Sequence, residues 1–200
     1  MTAPPLILAS ASPTRKEMLL RAGLTFTVDA ADVDEPAIKA ACRARGETSR
    51  AAALALATAK ALSVSQRCAD ALVIGADQML DCDGRWFDKP VDQADAKAAL
   101  TALAGRTHTL ISAVACARGG RLTWSEAATA QLTMRVFSQA FLETYMTGMG
   151  DNVRQTVGAY RLEGPGVQLF SRIEGDYFTI LGLPLLPLLA YLRQAHVLMR

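Results

Sequence analysis

The feature that most narrows the fold is a short apolar run, Leu6-Ile7-Leu8-Ala9, that passes directly into Ser10-Ala11-Ser12-Pro13. Four apolar residues bounded by polar ones read as a buried strand. Ser12 is placed as an N-cap with Pro13 at the first helical position. The pattern predicts a helix over residues 14–22, stopped by Gly23 as a C-cap. The alternation then continues. Strands are expected over 25–29 and 71–76, the latter ending at Asp77, with a long Ala-rich helix over about 48–65 between them. Asp32-Val33-Asp34-Glu35-Pro36 reads as an acidic loop, and Asp83-Gly84 as a hairpin turn. A helix over 92–104, capped by Asp92 and ended by Gly105, precedes two long strands over 107–117 and 121–136, joined by Gly119-Gly120. Ser138 starts another helix that ends near Gly148, a Gly-rich strand stretch covers 158–177, and a last helix starts at about Pro184. Alternating strands and helices of this kind indicate an α/β, or mixed α+β, fold.

Composition sets the outer limits. The chain has 200 residues, 51% of them hydrophobic, which suits one domain with a sizeable core and excludes whole-chain disorder. Twenty-one basic against nineteen acidic residues give a formal charge of +2, which argues against a nucleic-acid binder working by bulk charge. Residues 1–8 carry no basic region and no long apolar run of the signal-peptide type. The most apolar segment, 180–192, is shorter than the ~20 residues of a spanning helix and is broken by Pro184 and Pro187. The four cysteines lack a CxxC pair and the two histidines lie far apart, so neither a disulfide framework nor a zinc site is expected. Any metal would be a hard cation held by carboxylates. A cytosolic protein with no membrane and no nucleic-acid partner is the expectation.

Three features carry chemistry. The Ser10-Ala11-Ser12-Pro13 turn would present helix N–H groups to an anion, with the hydroxyls of Ser10 and Ser12 and the charges of Arg15 and Lys16 close by. Taken alone, it reads as an ordinary capped helix with solvated basic residues. Asp77 follows the apolar strand Leu72-Val73-Ile74, where a carboxylate can hold Mg²⁺, activate a water, or simply cap a turn. Lys60 is the one charged residue between Arg50 and Arg67, so it either snorkels to solvent or is aimed at an anion. Glu35 in its acidic loop and Lys89 before Pro90 are individually compatible with a solvated surface. His108 beside Gly105-Arg106 invites a Ser-His-Asp reading, but no Gly-x-Ser-x-Gly elbow accompanies it, and a structural histidine is expected.

Together these segments resemble the Maf family of nucleoside triphosphate pyrophosphatases, in order and over nearly the whole chain. The similarity is carried by Leu8-Ala9-Ser10-Ala11-Ser12-Pro13 with Arg15, by Val33-Asp34-Glu35, by Lys60-Ala61, by Ile74-Gly75-Ala76-Asp77 and by Lys89-Pro90. It extends through Leu103-Ala104-Gly105-Arg106-Thr107-His108 to Gly158-Ala159-Tyr160, Glu163-Gly164, Gly175-Asp176-Tyr177 and Gly182-Leu183-Pro184-Leu185. The resemblance implies a two-lobed, ITPase-like fold with a central mixed sheet and a cleft between the lobes. It implies hydrolysis of a nucleoside triphosphate to the monophosphate and pyrophosphate, a divalent cation (Mg²⁺ or Mn²⁺), and a homodimer. By the same resemblance Asp77 activates water, Glu35 and Asp77 hold the metal, and Ser10, Ser12, Arg15, Lys60 and Lys89 bind phosphate oxygens.

Three positions go with substrate choice in that family, and here they are Thr14, Gln78 and Glu163. Gln78 and Glu163 resemble the members acting on 7-methyl-GTP. A carboxylate can accept from the N–H groups of guanine and favours the positive charge of a 7-methylated ring, whereas glutamine there would offer a donor to a pyrimidine carbonyl. Gly158-Ala159-Tyr160 and Gly175-Asp176-Tyr177 instead resemble members acting on dTTP or UTP, and Thr14 matches neither pattern. Two departures stand out. Gln155-Thr156-Val157-Gly158 replaces the family's Asp-Lys-Ala-Gly, and Asp88 precedes Lys89-Pro90 where glycine or glutamate is common. The rival expectation is a nucleotide-binding regulator of cell division with little or no turnover.

Overall fold

The computed structural model describes residues 4–199. In chain order the elements are β1 (Leu6–Leu8), α1 (Pro13–Arg21), β2 (Thr27–Val28), α2 (Glu35–Ala44), α3 (Ser49–Ser65), β3 (Leu72–Cys82) and β4 (Arg85–Phe87). They continue with α4 (Gln93–Leu103), β5 (Thr107–Arg118), β6 (Arg121–Met134), α5 (Gln139–Met149), β7 (Phe170–Glu174), α6 (Tyr177–Ile180) and α7 (Leu185–Gln194). The seven strands form one mixed sheet in the order β2-β1-β3-β5-β6-β7, with β4 paired to β3. The expected α/β class is therefore found.

The chain divides into two compact units. The first comprises Met1–Gln78, Ser112–Ala128 and Tyr177–Arg200, and the second Met79–Ile111 and Thr129–Asp176. In the first, β1 lies between β2 and β3 and is parallel to both, with Leu6, Ile7 and Leu8 opposite Leu72, Val73 and Ile74. Its core packs Leu8, Leu19, Ile74, Val114, Leu188 and Leu192 together. In the second, Leu80, Leu100, Leu103, Leu132 and Leu142 are buried, and β7 runs antiparallel to the end of β6.

The caps expected at Ser12 and Asp92 are in place, and the helix starts at Thr48 and Ser138 are capped in the same way. Ser12, Thr48, Asp92 and Ser138 each accept a hydrogen bond from the backbone N–H three residues on, which satisfies one of the orphan donors at their helix starts. Asp83 and Gly84 both have positive φ, the backbone that a two-residue hairpin between β3 and β4 requires.

Four expectations are corrected. Strand β3 does not end at Asp77 but runs on to Cys82, because Leu80, Asp81 and Cys82 gain β4 as a partner. What ends near Asp77 is the pairing with β1, whose last partner on β3 is Ile74. The acidic loop closes into α2, since the Asp34 carboxylate caps the Ala37 N–H and Pro36 falls in the first turn. The 158–177 stretch is broken into short 3-10 and turn segments, because Gly158 and Ala159 have positive φ and Pro165 brings no N–H; its extended part is Phe170–Glu174. The strand expected over 25–29 reduces to Thr27–Val28.

Candidate active site

One close approach builds the centre of the site. A Cβ on Gly75 would lie 2.2 Å from the Ala57 carbonyl oxygen and 2.5 Å from the Ala61 nitrogen, so α3 rests directly on the backbone of β3. The buried stripe of α3 (Ala53, Leu56, Ala57, Lys60, Ala61, Val64) is mainly small and aliphatic, which permits that contact. Lys60 lies in this stripe between Ala57 and Ala61 and is only 8% exposed. Its ammonium is 2.6 Å from Asp77 Oδ1 and 2.7 Å from Glu35 Oε1. Lys60 therefore does not snorkel; it joins two carboxylates that are 42 residues apart in sequence. A buried charge is tolerable only when paired, and this one has two partners.

The second element is the Ser10–Arg15 turn. Ser12 spends its hydroxyl oxygen as the cap of α1, accepting from the Arg15 N–H. The Ser10 hydroxyl accepts from the Ser12 N–H at 3.3 Å and from Arg15 Nη1 at 3.2 Å, which leaves its own proton to donate. Arg15 Nη1 also donates to the Ala76 carbonyl at 2.9 Å, and Nε donates to the Gly182 carbonyl at 2.8 Å. Nη2, with two N–H groups, meets no acceptor among the described residues. Burial pulls the Arg15 pKa down from its ordinary value, and the charges of Asp77 and Glu35 push it back up. Arg15, Lys60, Asp77 and Glu35 thus form a balanced set of two cations and two anions.

Gln78 follows Asp77 on β3. Its amide nitrogen donates towards Ser112 Oγ at 3.0 Å, the Thr179 carbonyl at 3.2 Å and the Ile180 carbonyl at 2.9 Å. Three acceptors more than use its two protons. Thr14 is half-buried in the first turn of α1. Ser10, Ser12, Thr14, Arg15, Glu35, Lys60, Asp77 and Gln78 all belong to the first unit.

Lys89 and Glu163 belong to the second unit. Lys89 is exposed between β4 and α4. Glu163 accepts from Arg161 Nε at 3.1 Å and Nη2 at 3.0 Å, both on Oε1, so its second oxygen stays open. His108 is also in this unit and is a buried structural residue, with Nε2 2.7 Å from the Tyr160 hydroxyl. Its Nδ1 has no hydrogen-bond partner among the described residues, and burial pulls its pKa down to about 4, so the ring is neutral near pH 7.

No group of three or more His, Cys, Asp or Glu residues suited to a metal is found among the described residues. Glu35 and Asp77 nevertheless converge on a single cation, the Lys60 ammonium. Two converging carboxylates fit Mg²⁺ or Mn²⁺, which commonly take one or two protein oxygens and complete their shell with water and substrate phosphate. Sequence reasoning named Gly75 and Gly182 only as parts of motifs, with no role of their own, and missed Ser112. A glycine inside a strand signals close backbone approach, and a lone serine in the apolar run Leu110-Ile111-Ser112-Ala113-Val114 signals a buried polar link, so two of the three left a readable trace.

Comparison with known proteins gives a consistent picture. A family profile described as Maf-like protein matches residues 5–195. A nucleoside triphosphate pyrophosphatase of Paramagnetospirillum magneticum is 53% identical over 188 residues, covering 94% of this chain and 97% of the relative. One of Granulibacter bethesdensis is 50% identical over 193 residues, covering 96% and 98%. A 7-methyl-GTP pyrophosphatase of Rhizobium johnstonii is 50% identical over 191 residues, covering 96% of each chain.

Proposed function

The chain belongs to the Maf-like protein family, and from that premise we propose that it is a nucleoside triphosphate pyrophosphatase that releases the monophosphate and pyrophosphate. The observation that carries this reading is the buried Asp77–Lys60–Glu35 set, with the Ser10–Arg15 turn in the same unit. A protein that only binds nucleotide has no need for a buried carboxylate tied to a lysine.

Asp77 has the role of general base. Lys60 donates to its Oδ1, which leaves Oδ2 to take a proton from water. That water's oxygen attacks phosphorus in line, one P–O bond forms, and the bond to the pyrophosphate leaving group breaks. Ser10 donates its hydroxyl proton and Arg15 its Nη2 protons to phosphate oxygens, with Lys89 contributing a further positive charge. These charges stabilise a transition state that needs neutralisation more than covalent help. Glu35 and Asp77 would hold Mg²⁺ or Mn²⁺, which, when bound, offsets the charge of the triphosphate. Cytoplasmic location and a homodimer complete the reading. Among the described residues no helix is long and apolar enough to cross a membrane.

For the base, 7-methyl-GTP is the preferred candidate, ahead of dTTP and UTP. Glu163 keeps one carboxylate oxygen open for the donors of a 7-methylguanine, and relatives named for 7-methyl-GTP are about as similar as those with the general name. The test is a panel of 7-methyl-GTP, GTP, dTTP, UTP, CTP and ATP, with and without Mg²⁺ or Mn²⁺, scored for pyrophosphate and orthophosphate. Metal-dependent pyrophosphate release, fastest on 7-methyl-GTP, is expected. Glu163→Gln should move the preference away from the methylated purine. An unchanged substrate ratio would remove Glu163 from base recognition, and binding without turnover would favour the regulator.

A further inference from the structure

We infer that Tyr145 and Thr156 are positioning residues for Glu163: their hydroxyls hold residues 159–161 in place and, through them, the turn that presents the Glu163 carboxylate to the base. The inference deepens the base reading above and rests on it for what Glu163 does.

Strain marks this segment. Gly158 and Ala159 both take positive φ, +77 and +62. Glycine does so freely, but a residue with a Cβ holds such a φ only where its surroundings impose it. Here they do. Ala159 is fully buried, and its N–H donates to the Thr156 carbonyl at 3.3 Å. Its own carbonyl accepts from the Tyr145 hydroxyl at 3.2 Å. Burial pushes the Tyr145 pKa up to about 12, and the Arg161 backbone N–H, bearing on the same hydroxyl, offsets part of that rise. One hydroxyl on α5 thus serves the chain on both sides of Tyr160. Tyr160 is held in its turn by the Thr156 hydroxyl, which donates to its carbonyl at 2.7 Å, and by His108 Nε2, 2.7 Å from its own hydroxyl.

Arg161 carries that placement to Glu163. Its carbonyl accepts from the Gly164 N–H at 3.3 Å, which closes a tight turn around Glu163. A Cβ on Gly166 would lie 2.4 Å from the Arg161 carbonyl oxygen and 2.9 Å from its nitrogen, so the far end of the turn rests on the Arg161 backbone. The Arg161 side chain then reaches back, with Nε and Nη2 both donating to Glu163 Oε1. Backbone and side chain of Arg161 together fix the carboxylate, and the hydroxyls fix the backbone that leads into Arg161. All of these residues belong to the second unit. Tyr145 is buried and its one hydroxyl proton goes to Ala159, so it has none to offer a base. It acts on base choice only through where Glu163 stands.

The probes are 7-methyl-GMP and UMP, which carry a base but no phosphoanhydride bond, so binding is read without turnover. Inorganic triphosphate, which carries no base, is the control. Affinities are measured by calorimetry for the wild type, Tyr145→Phe, Thr156→Val, Glu163→Gln and the Tyr145→Phe/Glu163→Gln double variant, each checked for a folded melting transition. Phenylalanine keeps the ring and removes only the hydroxyl. Tyr145→Phe is expected to shift the affinity ratio of 7-methyl-GMP to UMP about fivefold, the scale of one neutral hydrogen bond, in the same direction as Glu163→Gln. Thr156→Val is expected to shift it by a smaller factor, and it carries the test if Tyr145→Phe does not fold. Triphosphate affinity should stay at the wild-type value, and Tyr145→Phe should shift the ratio no further once the Glu163 carboxylate is gone. An unchanged ratio in the folded hydroxyl variants, with Glu163→Gln shifted, overturns the inference alone. So does an equal shift in the Glu163→Gln background, or a matching loss of triphosphate affinity, which would make the hydroxyls a general support of the fold. An unchanged ratio in Glu163→Gln itself overturns both the base reading and the inference, whereas failure to hydrolyse nucleotides bears only on the proposed activity.

Discussion

At the scale of single residues, the environment of a side chain decides its chemistry more than its type does. Lys60 and His108 are both buried and ionisable, and their surroundings differ sharply. Lys60 has two carboxylates within 2.7 Å of its ammonium. His108 has a neutral tyrosine and an unpartnered Nδ1, and burial holds its pKa near 4 against 6.5 for a free ring. Between those two values the unfolded chain binds a proton that the folded chain refuses. Stability should therefore be intact above about pH 6.5 and fall as pH drops towards 4, by up to about 3 kcal/mol from this residue. Denaturant unfolding at a series of pH values, compared with His108→Gln, checks this. The variant should show a flatter slope below pH 6.5, and an equal slope in both proteins would contradict it.

At the scale of elements, the site depends on how closely α3 sits on β3. Gly75→Ala would place a methyl carbon 2.2 Å from a helix carbonyl, which no rotamer change relieves because the obstacle is backbone. The helix has to move or the strand has to bend. We expect a loss of at least about 2 kcal/mol in stability, the scale of overpacking, and a fall in turnover because Lys60 moves with the helix. Thermal unfolding and pyrophosphate release measured on the same preparation check both effects. Much at this scale was legible in the sequence. The caps Ser12 and Asp92 mark helix starts by a local rule, one side-chain oxygen to one N–H, and the helices starting at Thr48 and Ser138 obey the same rule. Strand ends were harder, because they depend on distant partners. Nothing near Asp77 signals that Leu80–Cys82 will pair with Arg85–Phe87 and carry the strand onward. Helix α2 carries its start signal, Asp34 followed by Pro36, inside the acidic motif, where the same run of charge also fits a solvated loop. The 158–177 stretch failed because positive φ at Gly158 and Ala159 is a backbone property that composition does not reveal.

At the scale of the whole molecule, the sheet gathers residues that the sequence scatters. Ser10 follows β1, Asp77 lies on β3, Lys60 is carried by α3, and Glu35 opens α2. The parallel pairing of β1 with β3 stops at Leu8 and Ile74, and the polar groups collect just beyond that point. In α/β sheets this is where ligands are received, past the carboxyl ends of parallel strands. The sequence carried that site as separate motifs, each compatible with an ordinary surface, and the pairing of Lys60 with both carboxylates is what unites them. In the proposed mechanism Asp77 takes the proton of the attacking water. The direct measurement is metal-dependent pyrophosphate release by Asp77→Asn, with nucleotide binding measured on the same sample. Asparagine keeps an oxygen for Lys60 and removes the base. Binding close to that of the wild type with turnover reduced about 10²-fold or more is the predicted result. Turnover within a few-fold of the wild type would contradict it.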